Sequence, residues 1–193
     1  MWGIRLRGAA AQVRRGKPRV SAFTSADIPK ILALEPDLVF TFSDLQAEIA
    51  AELIRAGIAV HAFNQRDIAG IFAMVRTVGA LAGAADKAEK LARSYEARLS
   101  EVAGLVRSRP KPTVYFEEWD DPLISGIGWV SELIEIAGGK EIFPELGKQK
   151  TTKDRIVSQE DVIAAAPDSR LLVWQESRSR QGPASLSAIQ SCK

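Results

Sequence analysis

From Ser25 onward, apolar and polar positions fall into blocks whose periods and punctuation predict alternating helices and strands. Ser25 is placed to cap a short helix over 26–34, with Pro29 in the first turn, where backbone N–H groups lack helical partners, and Pro36 as its stop. The run 37–42, DLVFTF, has the continuous apolar character of a buried strand. Ser43 and Gln46 have the spacing of a capping box for an amphipathic helix ending at Gly57. A second strand over 58–63, IAVHAF, then completes a βαβ unit with a right-handed crossover.

The clearest periodicity follows. Ile68, Ile71, Phe72, Val75, Val78, Gly79 and Ala82 share one helical face, and after Gly83 a new helix is expected at Asp86, with Glu89 closing a capping box. Its stripe of Ala88, Leu91, Ala92, Tyr95, Leu99, Val102, Ala103 and Val106 runs to Pro110. About 22 residues at 1.5 Å each predict a rod of roughly 33 Å. Beyond it, the β-branched and aromatic run 113–117 predicts a buried parallel strand, followed by a Trp-bearing acidic loop at Glu118, Trp119, Asp120 and Asp121. A helix over about 129–137 stops at Gly138-Gly139, Ser158 caps another with Asp161 at its third position, and 171–174, LLVW, predicts a last strand. The stretch 175–193 has no period and is rich in serine and arginine, so it is expected to be poorly ordered.

Composition narrows the classes. Over 193 residues, 46% hydrophobic and 26% charged residues describe a globular protein, and no apolar run reaches the roughly 20 residues that span a bilayer. The first 17 residues lack the apolar core of a secretory signal. Cys192 is alone, so no intrachain disulfide can form, and His61 is the one histidine, so a His-rich metal site cannot be built. The net charge of +2 is uneven: residues 1–20 hold six basic side chains and no acid, whereas 21–168 hold 16 basic against 23 acidic groups. The resulting field of the middle repels phosphate, which excludes nucleic acid as its partner.

Four stretches, in order and spacing, resemble one family: KPRVSAFTSADIPKILALEPDLVF; GIAVHAF with the paired helices after it; VYFEEWDDPLISGIGWVSELIEIAGG; and VSQEDVIAAAPD. The chain resembles the substrate-binding proteins of ABC importers for vitamin B12, ferric siderophores and haem, over about Lys17 to Pro167, with the cobalamin-binding branch the nearest. The resemblance implies an α/β fold of two incomplete three-layer lobes with parallel-type sheets joined by one long α-helix. Its segments are a basic leader at 1–20, a partial N-terminal lobe at 21–84, a connecting helix at 85–109, a partial C-terminal lobe at 110–174 and a tail at 175–193. It also implies a periplasmic or cell-surface location, no enzymatic activity and no cofactor. The implied ligand is a cobalamin, ferric siderophore or haem, delivered by a monomer to a membrane permease through peripheral contact.

Carried over residue by residue, the resemblance places Phe23 on a cleft loop and Phe42 at the end of the next strand, both facing the ligand. Trp119, Ser125 and Trp129 correspond to the ligand-contacting edge of the second lobe. Rigid aromatic side chains suit a broad ligand face because they bury it at small entropy cost. The family's first-lobe docking carboxylate aligns with Pro29, the nearest acid being Asp27, and the family's opening strand and closing elements find no match, which implies truncation at both ends.

The residues alone leave other readings open. Phe23 and Phe42 also fit as core aromatics, Trp129 as a helix anchor and His61 as a core histidine. Glu117 and Glu118 alternate to opposite faces of a strand, so they cannot form a close acid–base pair, and no D-x-D-x-D-G calcium spacing is present. An α/β enzyme of glycosyltransferase or hydrolase type, using Glu118 and Asp120, is the alternative from a different class, and a non-functional fragment is a third. No phosphate loop, nucleophile elbow or GxGxxG fingerprint supports the enzyme reading.

Overall fold

A computed structural model describes residues 16–172, which form two compact units, one running to Leu105 and the other starting at Val106. The predicted leader and tail fall mostly outside these residues, as do Val173 and Trp174 of the last predicted strand.

The first unit contains α1 (Ile28–Leu32), β1 (Val39–Phe42), a 3₁₀ turn (Asp44–Gln46), α2 (Ala47–Arg55), β2 (Val60–Phe63), α3 (Ile68–Leu81) and all but the last residue of α4 (Ala85–Val106). β1 and β2 pair in parallel, from Val39 opposite Val60 to Phe42 opposite Phe63, as the βαβ pattern predicts. The two-residue strand period splits the sheet chemically. Val39 packs with Val20, Ile31 and Leu53 on one side, and Leu53 is fully buried there. The opposite side carries Phe40, His61 and Phe63, with the His61 and Phe63 rings 4.4 Å apart. His61 therefore packs among aromatic rings on a partly exposed sheet face.

Three predicted caps differ from the structure, each because a stronger partner is available. Asp27, not Ser25, caps α1: its carboxylate accepts from the Lys30 N–H at 3.0 Å, while Ala26 is drawn into a bridge with Ser21. The Gln46 side chain does not reach back to Ser43, because its amide bonds elsewhere, and the Ser43 hydroxyl accepts from the Leu45 N–H. Glu89 does not close a box at the start of α4. It receives Arg76 at 2.7 Å and Arg93 at 2.6 Å instead, and Arg76 also reaches Glu96 at 2.9 Å.

These bonds tie α3 to α4. Gly79 sits at their closest approach, where a Cβ would lie 2.1 Å from the Ala88 Cβ. The predicted apolar stripe of α4 is only partly used within the unit: Ala88 and Ala92 are buried, but Leu91 and Tyr95 are exposed.

The second unit contains β3 (Thr113–Asp120), β4 (Leu123–Ser125), α5 (Gly128–Ile136), β5 (Lys140–Glu141), α6 (Pro144–Gly147), a 3₁₀ turn (Lys153–Arg155), α7 (Gln159–Ala165) and β6 (Ser169–Leu172). β3 pairs in parallel with β5 and β6 and antiparallel with β4. Its long apolar run follows from burial on both faces. Val114 packs with Val130 and Ile134 on one side, while the fully buried Tyr115 packs with Val157 and Val162 on the other. Burial, with Glu117 nearby, pushes the Tyr115 phenol up to about 12.

The predicted acidic loop is a correction: Glu118, Trp119 and Asp120 continue β3 instead of leaving it. Antiparallel pairing with β4 holds them, through a register shift between Glu117 and Trp119 that bends the strand. The Ser158–Asp161 capping box of α7 forms as its spacing predicts. At the start of β3, the Thr113 N–H and hydroxyl both donate to Asp168, at 2.7 and 2.8 Å, and hold its carboxyl below the usual range.

Glu89 gives the first unit a testable acid response. Its arginine partners hold its carboxyl at about 2, against an ordinary 4.5, so the folded state binds fewer protons between those values. The stabilisation is present above about 4.5 and is lost as pH falls towards about 2. Urea unfolding from pH 6 to 2 is expected to show a steeper loss for wild type than for Glu89→Gln. Parallel pH profiles would remove this ion cluster from the stability of the helix pair.

Candidate ligand-binding edges

In open α/β sheets, ligands sit beyond the carboxyl ends of parallel strands. In the first unit that edge begins at Phe42 and Phe63. Ser43, at φ 69°, turns the chain off β1, and its N–H donates to the Phe63 carbonyl at 2.7 Å, joining the two strand ends.

Gln46 then draws the predicted aromatic residues together. Its Oε1 accepts from the Phe42 N–H at 2.7 Å, and its Nε2 donates to the Phe23 carbonyl, also at 2.7 Å. The amide is 5% exposed, so this is a buried bridge. Phe23 rides above it at 48% exposure, while Phe42 is half-buried. The sequence spacing pointed Gln46 towards a cap, and nothing in one sequence marks a bond reaching back 23 residues.

Beside this edge, β2 and α3 enclose an open recess of about 540 Å³ lined by His61, Phe63, Gln65, Asp67, Gly70 and Met74. Gly70 keeps it close-walled: a Cβ there would meet the Asp67 carboxylate at 2.9 Å, and that carboxylate already accepts from the Gly70 N–H at 2.6 Å. The Ser43 hydroxyl lowers the neighbouring Asp44 carboxyl, with Arg66 adding a smaller favourable field.

In the second unit the edge is the β3–β4 hairpin. Trp119 is 43% exposed and donates its indole N–H to the Asp121 carbonyl at 2.9 Å, which fixes the ring across the turn. Trp129 is half-buried against the Val114–Val130–Ile134 cluster. Ser125 is only 1% exposed, so its side chain lies within the fold.

Arg155, absent from the sequence-based set, organises this hairpin. At 2% exposure it donates from Nη1 to Glu118 at 2.5 Å and to the Ser125 carbonyl at 2.5 Å, and from Nη2 to Glu118 at 3.2 Å. Glu117, on the opposite face, pairs with Arg170. Both oxygens of Glu118 are therefore engaged in a structural ion pair, which argues against an acid–base role for this edge. Among the described residues, no three His, Cys, Asp or Glu side chains converge as metal ligands.

A family model for periplasmic binding proteins matches residues 7–189. The chain belongs to that family.

Members of this family are binding proteins, not enzymes. The chain is 24% identical over 153 residues to a vitamin B12-binding protein of Vibrio campbellii, a match covering 78% of this chain and 54% of the relative. The chain thus spans about half the length of the curated relatives it matches.

Its fold is similar to an ABC transporter substrate-binding protein of Listeria monocytogenes, with TM-score 0.71, 20% identity, and coverage of 86% of this chain and 64% of that one. A periplasmic haem-binding protein of Pseudomonas aeruginosa aligns with TM-score 0.67 at 19% identity, covering 84% of this chain and 60% of that one. The described part of this periplasmic binding protein has the mixed α/β architecture with parallel-type sheets expected of the family. Among the described residues, no helix is long and apolar enough to cross a membrane.

Two stability predictions follow from the second edge of this binding-protein chain. Removing Glu118 strands a buried guanidinium, whereas removing Arg155 leaves a carboxylate that is 37% exposed and can be hydrated. Glu118→Ala is therefore expected to cost about 3 kcal/mol, and Arg155→Met about 1–2 kcal/mol, in urea unfolding followed by tryptophan fluorescence. The reverse order would mean that the Ser125 carbonyl contact outweighs the ion pair.

Glu141 shifts the other way. It is 2% exposed, neither oxygen has a partner in hydrogen-bond geometry, and burial pushes its carboxyl up, offset only in part by nearby backbone N–H groups. The folded state then holds its proton above the ordinary 4.5, so stability falls as pH rises through and beyond that value. Glu141→Gln is expected to be more stable than wild type at pH 8 and to differ less at pH 4. An equal difference at both pH values would contradict this.

Proposed function

We propose that this chain captures a bulky metal chelate of the corrinoid, haem or ferric-siderophore class, outside the cytoplasmic membrane, for hand-over to the permease of an ABC importer. The observation that carries the reading is the placement of an exposed aromatic side chain at the ligand edge of each unit. Phe23 is 48% exposed at one and Trp119 is 43% exposed at the other. Large rings left in water at a strand edge are available to cover an apolar ligand face, and both have tethered surroundings, which lowers the entropy cost of binding. The names of the relatives support the ligand class: a vitamin B12-binding protein by sequence and a haem-binding protein by fold.

On this reading Phe23 and Trp119 supply the principal apolar contacts, with Phe42 and Trp129 contributing ring edges beside them. Ser125 contributes through its backbone position, since its hydroxyl is buried. The chain acts without catalysis and meets its membrane partner as a peripheral monomer. In this reading the lobes are the segments 21–84 and 110–174, with 85–109 between them.

The test is an absorbance and tryptophan-fluorescence titration of the purified protein with cyanocobalamin, haemin and a ferric hydroxamate siderophore. Saturable binding of at least one is expected, with Trp119→Ala weakening it about tenfold through lost apolar contact. A cooperatively folded protein that binds none of the three would overturn the reading.

A further inference from the structure

We infer that Gln46 is a positioning residue for the ligand edge of the first unit, setting Phe23 and Phe42 in fixed register through the two ends of one amide; this rests on the binding function proposed above. An amide fits the task because it is at once donor and acceptor. Its Oε1 takes the Phe42 N–H and its Nε2 gives to the Phe23 carbonyl, each at 2.7 Å. One buried group therefore couples two backbone segments that are otherwise separate in sequence.

The surroundings make the bridge rigid. The loop carrying Phe23 is short and internally tied, with the Ala22 N–H donating to the Ser25 carbonyl at 2.8 Å and the Asp27 N–H to the Val20 carbonyl at 2.9 Å. Its far side is thus a stiff turn whose placement against β1 depends on what it is fastened to. The residual gap beside Gln46, lined by Ser21, Ile31, Thr41 and Leu53, is about 10 Å³, which is at the lower limit for one water. A replacement side chain of similar length, such as Met, leaves little room for a water to take over the bonds of the amide. The 3₁₀ turn of Asp44–Gln46 before α2 aims the side chain back along β1, and the Gln46 N–H holds that turn by donating to the Ser43 carbonyl at 3.2 Å.

No single-sided substitute meets both demands. Gln46→Met keeps the approximate length and loses both bonds. Ionised, Gln46→Glu keeps an acceptor for the Phe42 N–H but turns an oxygen towards the Phe23 carbonyl, where attraction becomes repulsion, so its titrations are made well above the carboxylate range.

The experiment measures ligand titration, thermal unfolding and amide hydrogen exchange on the full chain for wild type, Gln46→Met, Gln46→Glu and Phe23→Ala, with the Gln46→Glu/Phe23→Ala double variant. The titrants are cyanocobalamin, haemin and a ferric hydroxamate siderophore. Expected are at least tenfold faster exchange at the Phe42 amide in Gln46→Met, with a cooperative melt retained, and roughly tenfold weaker ligand binding in both Gln46 variants. In the Phe23→Ala background, Gln46→Glu should weaken binding less than in the wild-type background, because the more exposed of the two rings it positions is already gone and only the Phe42 contribution remains.

Unchanged exchange at Phe42, or equal affinity in wild type and Gln46 variants, would overturn the positioning role. Full additivity of Gln46→Glu and Phe23→Ala would overturn it as well. If wild type binds none of the three ligands while Gln46→Met still frees the Phe42 amide, the clamp stands and the ligand reading falls.

Discussion

A polar side chain taken out of water must satisfy its hydrogen-bonding groups inside the fold or raise the free energy by kilocalories, and that demand fixes both candidate edges of this protein. At the first edge the buried group is the Gln46 amide, joined at both ends to backbone. At the second it is the Arg155 guanidinium, joined to Glu118 and to the Ser125 carbonyl. The Gln46 amide and the two terminal nitrogens of Arg155 find these partners only when two chain segments occupy one relative position, while the Arg155 Nε is buried without a partner. Packing of Leu53 or Tyr115 could tolerate small slides of neighbouring segments, whereas a bond with a narrow angular range cannot. The exposed rings of Phe23 and Trp119 inherit their settings from this constraint.

The order of strands and helices was legible because it is written in periodicity, which one sequence contains in full. The parallel pair of 37–42 and 58–63, the long helix to Val106 and the Ser158–Asp161 box follow from local spacing alone. What local spacing could not resolve was competition for a polar side chain. Ser43 and Gln46 satisfy the spacing rule for a cap, yet Gln46 is claimed by Phe23, which no local rule can see. Glu89 has the same history with Arg76, thirteen residues away on the preceding helix. The β3–β4 hairpin was missed for a related reason: Glu118, Trp119 and Asp120 look solvated in sequence, but antiparallel pairing with β4 keeps them in a strand. Phe23, Phe42 and Ser125 were singled out by resemblance, and Trp119 and Trp129 also by their place at the end of a predicted strand. Structure then separates Phe23 and Trp119, which meet solvent, from Ser125, which does not.

The acidic residues of the second unit show how environment divides identical chemistry. Glu117 and Glu118 are adjacent, point to opposite faces, and each meets its own arginine, Arg170 and Arg155. Glu141 is buried without such a partner, and its proton is held more tightly as a result. A cluster that reads as catalytic on a sequence is thus divided among separate structural tasks. This matches a protein whose family binds ligands and does not turn them over.

The two clamps differ in charge, and the difference has consequences for how each edge responds to its surroundings. The Gln46 bridge is neutral at both ends, so ionic strength acts on it weakly, and its integrity depends on shape and desolvation. The Arg155 bridge contains a full ion pair whose carboxylate partner is 37% exposed, so part of its Coulomb energy passes through water and is screened by salt. A polar or anionic ligand group arriving near Glu118 would compete for, or be repelled by, charges already present, whereas a ligand covering Phe23 meets an edge with a neutral foundation. Salt therefore acts more strongly on the second clamp than on the first.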